Sequence, residues 1–137
     1  MNSETILIVE DDPVVIRALE YKFRSGGYKV VSAPDAAEAI RTTVLEKPDL
    51  MILDLTLMDG MSINGLKDGL AVLHWLHRTL PEARFPVIIH TASTAPDVAG
   101  RTQPFEISGV FRKGCELNDL IASVRAALDK RKRSEAA

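Results

Sequence analysis

The chain has 137 residues, 46% of them apolar and 26% charged, with a formal net charge of −2 and one cysteine. That length suits one domain around one core, and the near-neutral balance excludes a general pull toward nucleic acid or anionic membrane. Cys115 has no internal partner for a disulfide, no basic start of a signal peptide precedes residue 9, and no apolar run reaches membrane-spanning length. The expectation is a small cytoplasmic domain that neither enters a membrane nor binds nucleic acid directly.

Strand and helix patterns alternate along the chain. Thr5–Val9 is a short continuous apolar run, which predicts a strand covered on both faces. A first helix follows, with Asp12 as N-cap, Pro13 at its first position, and Val14, Val15, Ala18, Leu19 and Phe23 expected on one face; Gly26-Gly27 ends it. Lys29–Ala33 is the second strand. Asp35 caps a second helix, with Glu38 completing a capping box, and that helix is expected to run to Lys47 before Pro48. Leu50–Asp54 is the third strand.

Residues 55–69 then break the rhythm with three turn signals, Asp59-Gly60, Asn64-Gly65 and Asp68-Gly69. A loop of that length leaving directly from Asp54 is expected to limit access to the pocket described below. A third helix over Leu70–Thr79 and a fourth strand over Pro86–Thr91 follow. A weak helix is expected over Pro96–Gln103, then a fifth strand at Gly109–Arg112 and a last helix over Leu117–Arg131. Leu117, Leu120, Ile121, Val124 and Leu128 form the buried stripe of that helix. The fold class is therefore α/β: five βα units in succession predict a doubly wound, five-stranded parallel sheet with helices on both faces. The domain is expected to span residues 1–131, with a short charged tail at 132–137.

Chemistry concentrates where the strands end. The first runs into Glu10-Asp11-Asp12 and the third into Asp54, and ligands of open parallel sheets bind at the carboxyl ends of strands. Carboxylates crowded there repel unless a cation or protons neutralise them, and an oxygen-only set suits Mg²⁺. The fourth strand ends in Thr91-Ala92-Ser93 and the fifth in Arg112-Lys113, adding a hydroxyl and an ammonium. A carboxylate can act as nucleophile on phosphorus, and phosphoryl transfer needs in-line placement with cations on the equatorial oxygens. Plainer readings account for other residues. Asp12 is explained by its cap, His74 and His77 by a partly exposed helix face, His90 by a hydrogen-bonded place in the core, and the run Lys130–Arg133 by the dipole at a helix C-terminus.

Taken in order, Val9-Glu10-Asp11-Asp12-Pro13, Leu53-Asp54-Leu55, Thr91-Ala92 and Lys113 resemble the motifs of response regulator receiver domains over about residues 4–130. The resemblance implies the sheet order 2-1-3-4-5 and Asp54 as phosphoacceptor. It implies Mg²⁺ held by Glu10, Asp11, Asp54 and the backbone carbonyl of Thr56. It further implies Thr91 as the switch hydroxyl, Ala92 as the small residue leaving the phosphoryl site open, and Lys113 as the phosphoryl contact. The sequence departs from the family where Met58 and Gly114 replace prolines and Val110 replaces an aromatic residue. Its 55–69 loop is also about seven residues longer.

The implied function is a single-domain response regulator, phosphorylated by a sensor histidine kinase or a histidine phosphotransfer protein, that signals to an unidentified target protein or passes the phosphoryl group onward. No enzyme activity is expected beyond its own phosphoryl transfer and autodephosphorylation. The rival is a degenerate receiver that binds partners without phosphorylation.

Overall fold

The computed structural model describes residues 4–55, 69–79, 85–92, 100, 102 and 105–136. Thr56, Met58 and most of the weak helix expected over 96–103 lie outside the described residues. The described elements are β1 (Thr5–Val9), α1 (Pro13–Ser25), β2 (Lys29–Ala33), α2 (Ala36–Glu46), β3 (Leu50–Leu53), α3 (Gly69–Thr79), β4 (Val87–Thr91), β5 (Gly109–Arg112) and α4 (Leu117–Ala136). The five strands form one parallel sheet in the order β2-β1-β3-β4-β5. Fold class and strand order are as expected.

Strand alternation explains why the runs are apolar throughout. Leu7, Val9, Met51, Leu53, Val87 and Ile89 point to one face, where they pack with Ala36 and Ala39 of α2 and Ala71, Val72 and Leu73 of α3. Ile6, Ile8, Leu50, Ile52 and Ile88 point to the other, against Leu19 and Phe23 of α1 and Leu120, Val124 and Leu128 of α4. Helices cover both faces, so the inner strands are apolar until β4 reaches the buried His90 and Thr91 at its carboxyl end. Burying each large apolar side chain contributes roughly 1.5–3 kcal/mol.

Local signals act as their chemistry requires. Asp12 caps α1 by accepting from the N–H of Val14 at 2.9 Å, and Asp35 caps α2 by accepting from the N–H of Glu38 at 2.8 Å. The Glu38 carboxylate faces Arg41 at 3.7 Å. α2 ends at Glu46, and Lys47 takes the left-handed conformation (φ 47°) as its C-cap.

Two expectations need correction. Val14 is 71% exposed and Ala18 is also exposed, so the stripe that α1 buries is the narrower one of Leu19 and Phe23 with Val15 packed beside them. The last helix continues to Ala136, and the tail expected at 132–137 is helical almost to its end. The cause lies at the amino edge of the sheet. Arg131 donates from one guanidinium nitrogen to the Asp49 carboxylate at 2.7 Å and to the Asp49 carbonyl at 3.1 Å. Lys132 pairs with Glu4, and that contact holds the Glu4 carboxyl below its ordinary range. Asp49 is itself tied to β1, accepting from the N–H of Thr5 at 2.8 Å. Two cations of the basic run thus pin the helix to the sheet, where a favourable dipole alone was expected.

Candidate functional site

Each candidate residue is the last of its strand or among the first beyond it, and neighbouring backbone fixes where it emerges. The N–H of Asp54 donates to the carbonyl of Val9 at 3.0 Å, which draws the end of β3 level with Glu10. Glu10 is held from the other side by its N–H to the Ala33 carbonyl at 3.0 Å, and the N–H of Lys113 donates to the Thr91 carbonyl at 2.9 Å. These bonds continue the parallel β1–β3, β1–β2 and β4–β5 ladders one step past their ends. Adjacency in the sheet therefore assembles residues that lie far apart in sequence.

Glu10, Asp11 and Asp54 each place a carboxylate oxygen within 4.8 Å of the others. Glu10 and Asp54 are buried, and Asp11 is half-buried. The ammonium of Lys113 reaches into this group, 2.8 Å from Asp54 Oδ2 and 2.9 Å from both Glu10 oxygens. Glu10 Oε2 also accepts from the backbone N–H groups of Asp11 and Asp12, each at 3.1 Å. Glu10 Oε1 touches the ammonium as an ion pair, yet it accepts no hydrogen bond although it is buried.

Burial pushes the Glu10 carboxyl up to about 7, against the pull of Lys113 and the backbone N–H of Asp12. Lys113 moves upward because its two carboxylate partners outweigh the cost of its own burial. Next to it on β4, His90 is buried and held below its ordinary value, first by burial and then by Lys113.

With all three carboxylates ionised, the one ammonium leaves two negative charges without compensation, the charge of one divalent cation. The donors are all oxygen, and buried Glu10 Oε1 accepts no hydrogen bond beside its ion pair with Lys113. That chemistry fits Mg²⁺. Glu10, Asp11 and Asp54 are the described residues that would hold it.

The remaining candidates are placed as follows. Thr91 closes β4 and is fully buried, and Ala92, the next residue, is exposed. Thr56 lies outside the described residues. Val110 is 46% exposed on β5, while Phe111 points to the opposite face and packs against the α1–α4 core, as Val15 and Leu117 do. Gly114 has φ 95°, so the turn after Lys113 uses a left-handed conformation that glycine adopts freely. Away from the site, His74 and His77 are exposed on α3 with their rings edge-on to Phe105; two residues after Lys113, burial pushes the Cys115 thiol up.

The response regulator receiver domain family model matches residues 6–125. The chain belongs to this family.

Among curated relatives, this receiver is 38% identical over 107 residues to the transcriptional regulatory protein GlrR of Escherichia coli K12, covering 77% of the chain and 21% of that protein. It is 31% identical over 125 residues to the transcriptional regulatory protein KdpE of Mycobacterium tuberculosis, covering 90% of the chain and 50% of that protein. The receiver therefore spans half or less of these relatives. Among solved structures, the signal receiver domain of a signal transduction histidine kinase from Syntrophus aciditrophicus superposes with a TM-score of 0.81 at 28% identity, covering 96% of this chain and 94% of that one. Receiver domains are phosphoacceptor signalling domains of two-component systems, and they generally bind Mg²⁺ at an acidic pocket.

One contact of this receiver was not legible in its sequence. Lys113 bridges Glu10 as well as Asp54, across 103 and 59 residues respectively. Only the order of strands could reveal that pairing.

Proposed function

We propose that the chain is a single-domain response regulator that accepts a phosphoryl group on Asp54 from a phosphohistidine of a histidine kinase or phosphotransfer protein. The observation that carries this reading is the placement of the Lys113 ammonium 2.8 Å from a buried Asp54 carboxylate, within an acidic group suited to Mg²⁺.

Asp54 supplies the attacking oxygen. A new bond forms from its carboxylate to phosphorus as the phosphorus–nitrogen bond of the donor breaks, and the imidazole leaves with that electron pair. Lys113, already on Asp54, follows the transferred group and offsets charge on one of its oxygens. Thr91 offers a hydroxyl to a second oxygen, and the methyl of Ala92 leaves the approach open. Bound Mg²⁺, held by Glu10, Asp11, Asp54 and the carbonyl of Thr56, would supply the remaining charge compensation.

Transfer to water then returns the free carboxylate, so the chain turns over its own phosphoryl group without acting as a conventional enzyme. Output is a shift between two surface arrangements, read by a partner protein in the cytoplasm rather than by nucleic acid or membrane. Exposed Val110 has no aromatic ring to couple to Thr91, which favours onward phosphorelay or an output of another kind.

Beryllofluoride, a mimic of the phosphoryl group, tests the acceptor without turnover. With Mg²⁺ the wild type should show ¹⁹F resonances of bound beryllofluoride that Asp54→Ala lacks. A bound signal retained in the variant would move the acceptor elsewhere.

A further inference from the structure

The first residue of α3 lies directly on the acceptor. Gly69 is buried, and its N–H donates to the Leu55 carbonyl at 3.1 Å. A Cβ built on Gly69 overlaps the Asp54 carbonyl oxygen, and it comes within 2.9 Å of the Asp54 carbonyl carbon and 3.0 Å of Leu55 Cα. All three atoms belong to backbone, so no side chain can swing aside to make room. Among the described residues the glycines with positive φ are Gly27 and Gly114, so the backbone of Gly69 itself would admit alanine. At an ordinary helical position alanine is favoured over glycine by up to about 1 kcal/mol. The neighbouring peptide, and not the local conformation, is what calls for glycine here.

We infer that Gly69 is a positioning residue for phosphoryl acceptance: lacking a side chain, it lets α3 seat against the Asp54–Leu55 peptide and hold the acceptor at Lys113. This rests on the reading of Asp54 as phosphoacceptor. The Asp54 peptide is gripped from two sides, by β1 through the Val9 carbonyl and by α3 through Gly69. The carboxylate it carries must meet Lys113 at 2.8 Å and lie within 4.8 Å of the oxygens of Glu10 and Asp11. Relieving the overlap that Gly69→Ala creates requires the acceptor peptide or the helix to move. A misplacement of about 1 Å at a reacting group costs about 10²-fold in rate.

The test compares the 137-residue wild type with Gly69→Ala and Gly100→Ala, the latter because a Cβ at exposed Gly100 meets nothing within 4 Å. Mg²⁺ affinity, the initial rate of phosphoryl incorporation from acetyl phosphate, and the thermal midpoint are measured for each. Well below its midpoint, Gly69→Ala should lose about tenfold in Mg²⁺ affinity and between about tenfold and 100-fold in rate, with Gly100→Ala matching wild type. A lower midpoint with wild-type affinity and rate would mean a merely structural glycine and overturn the assignment.

A second measurement needs no variant. If the Gly69 closure holds Asp54 in place, a cation on Asp54 must equally hold the closure, because coupling between sites is reciprocal. Amide hydrogen exchange at Gly69 should therefore slow in wild type when Mg²⁺ is added, and unchanged exchange would overturn the inference even if Gly69→Ala failed to fold. Should wild type itself take no phosphoryl group, the acceptor reading falls, while the Mg²⁺ and exchange results still judge Gly69.

Discussion

Lys113→Ala should lower the stability of the Mg²⁺-free protein by about 3 kcal/mol at pH 7.5, read from the urea midpoint at unchanged slope. In wild type the ammonium is 2.8 Å from Asp54 and 2.9 Å from Glu10, whose side chains are only 1% and 2% exposed. Removing it leaves two carboxylates buried side by side, and breaking a buried pair from one side costs about 3–5 kcal/mol. The lower end applies because Lys113 itself is 24% exposed, so water can enter where it was.

The size of that loss should depend on pH. Glu10 has a folded value of about 7 against an ordinary 4.5, so its protonated form favours the fold. Its contribution is fully present below 4.5 and is lost as pH rises through about 7. At pH 5.5 Glu10 carries a proton, the repulsion that Lys113 offsets is weaker, and the variant should lie closer to wild type. His90 acts in the opposite sense in both proteins. Its lowered value gives stability that is present above its ordinary 6.5 and lost as pH falls through the folded value. The raised value of Lys113 matters only at alkaline pH, where its contribution is lost above 10.5. An equal penalty at pH 5.5 and pH 8 would show that Lys113 does not compensate Glu10.

Mg²⁺ should stabilise wild type, by about 1.4 kcal/mol at ten times its dissociation constant, and its apparent affinity should fall about tenfold between pH 8 and pH 6. The metal requires Glu10 ionised, whereas burial favours the protonated form up to about pH 7. Titration calorimetry in buffers of different ionisation enthalpy would register the proton released. Glu10→Gln should bind Mg²⁺ more weakly at pH 8, with most of the pH dependence gone. A variant that kept the same pH slope would assign the proton to another group.

What could be read from the residues, and what could not, divides along physical lines. The three inner strands were legible because Ile6–Val9, Leu50–Leu53 and Val87–Ile89 must be covered on both sides, which a doubly wound sheet provides. Asp12 and Asp35 announced the starts of α1 and α2 because a cap is a local hydrogen bond. Val14 and Ala18 were misplaced because helical periodicity marks an apolar stripe without giving the width that a neighbour covers. Arg131 and Lys132 read as dipole partners because Asp49 and Glu4, the carboxylates they reach, lie more than 80 residues away in sequence. Gly69 read as part of a turn because Asp-Gly usually marks one, and close packing of backbone on backbone leaves no sequence signature. Asp11, Asp54 and Lys113 stood out for the opposite reason: each lies at a strand end, and parallel strands end together.

The most direct test of the account is intact-mass spectrometry after incubation with acetyl phosphate and Mg²⁺, with Asp54→Ala alongside. Wild type should gain one phosphoryl mass, a gain prevented by EDTA and absent from the variant. The same gain in Asp54→Ala, or none in a wild type that binds Mg²⁺, would contradict it.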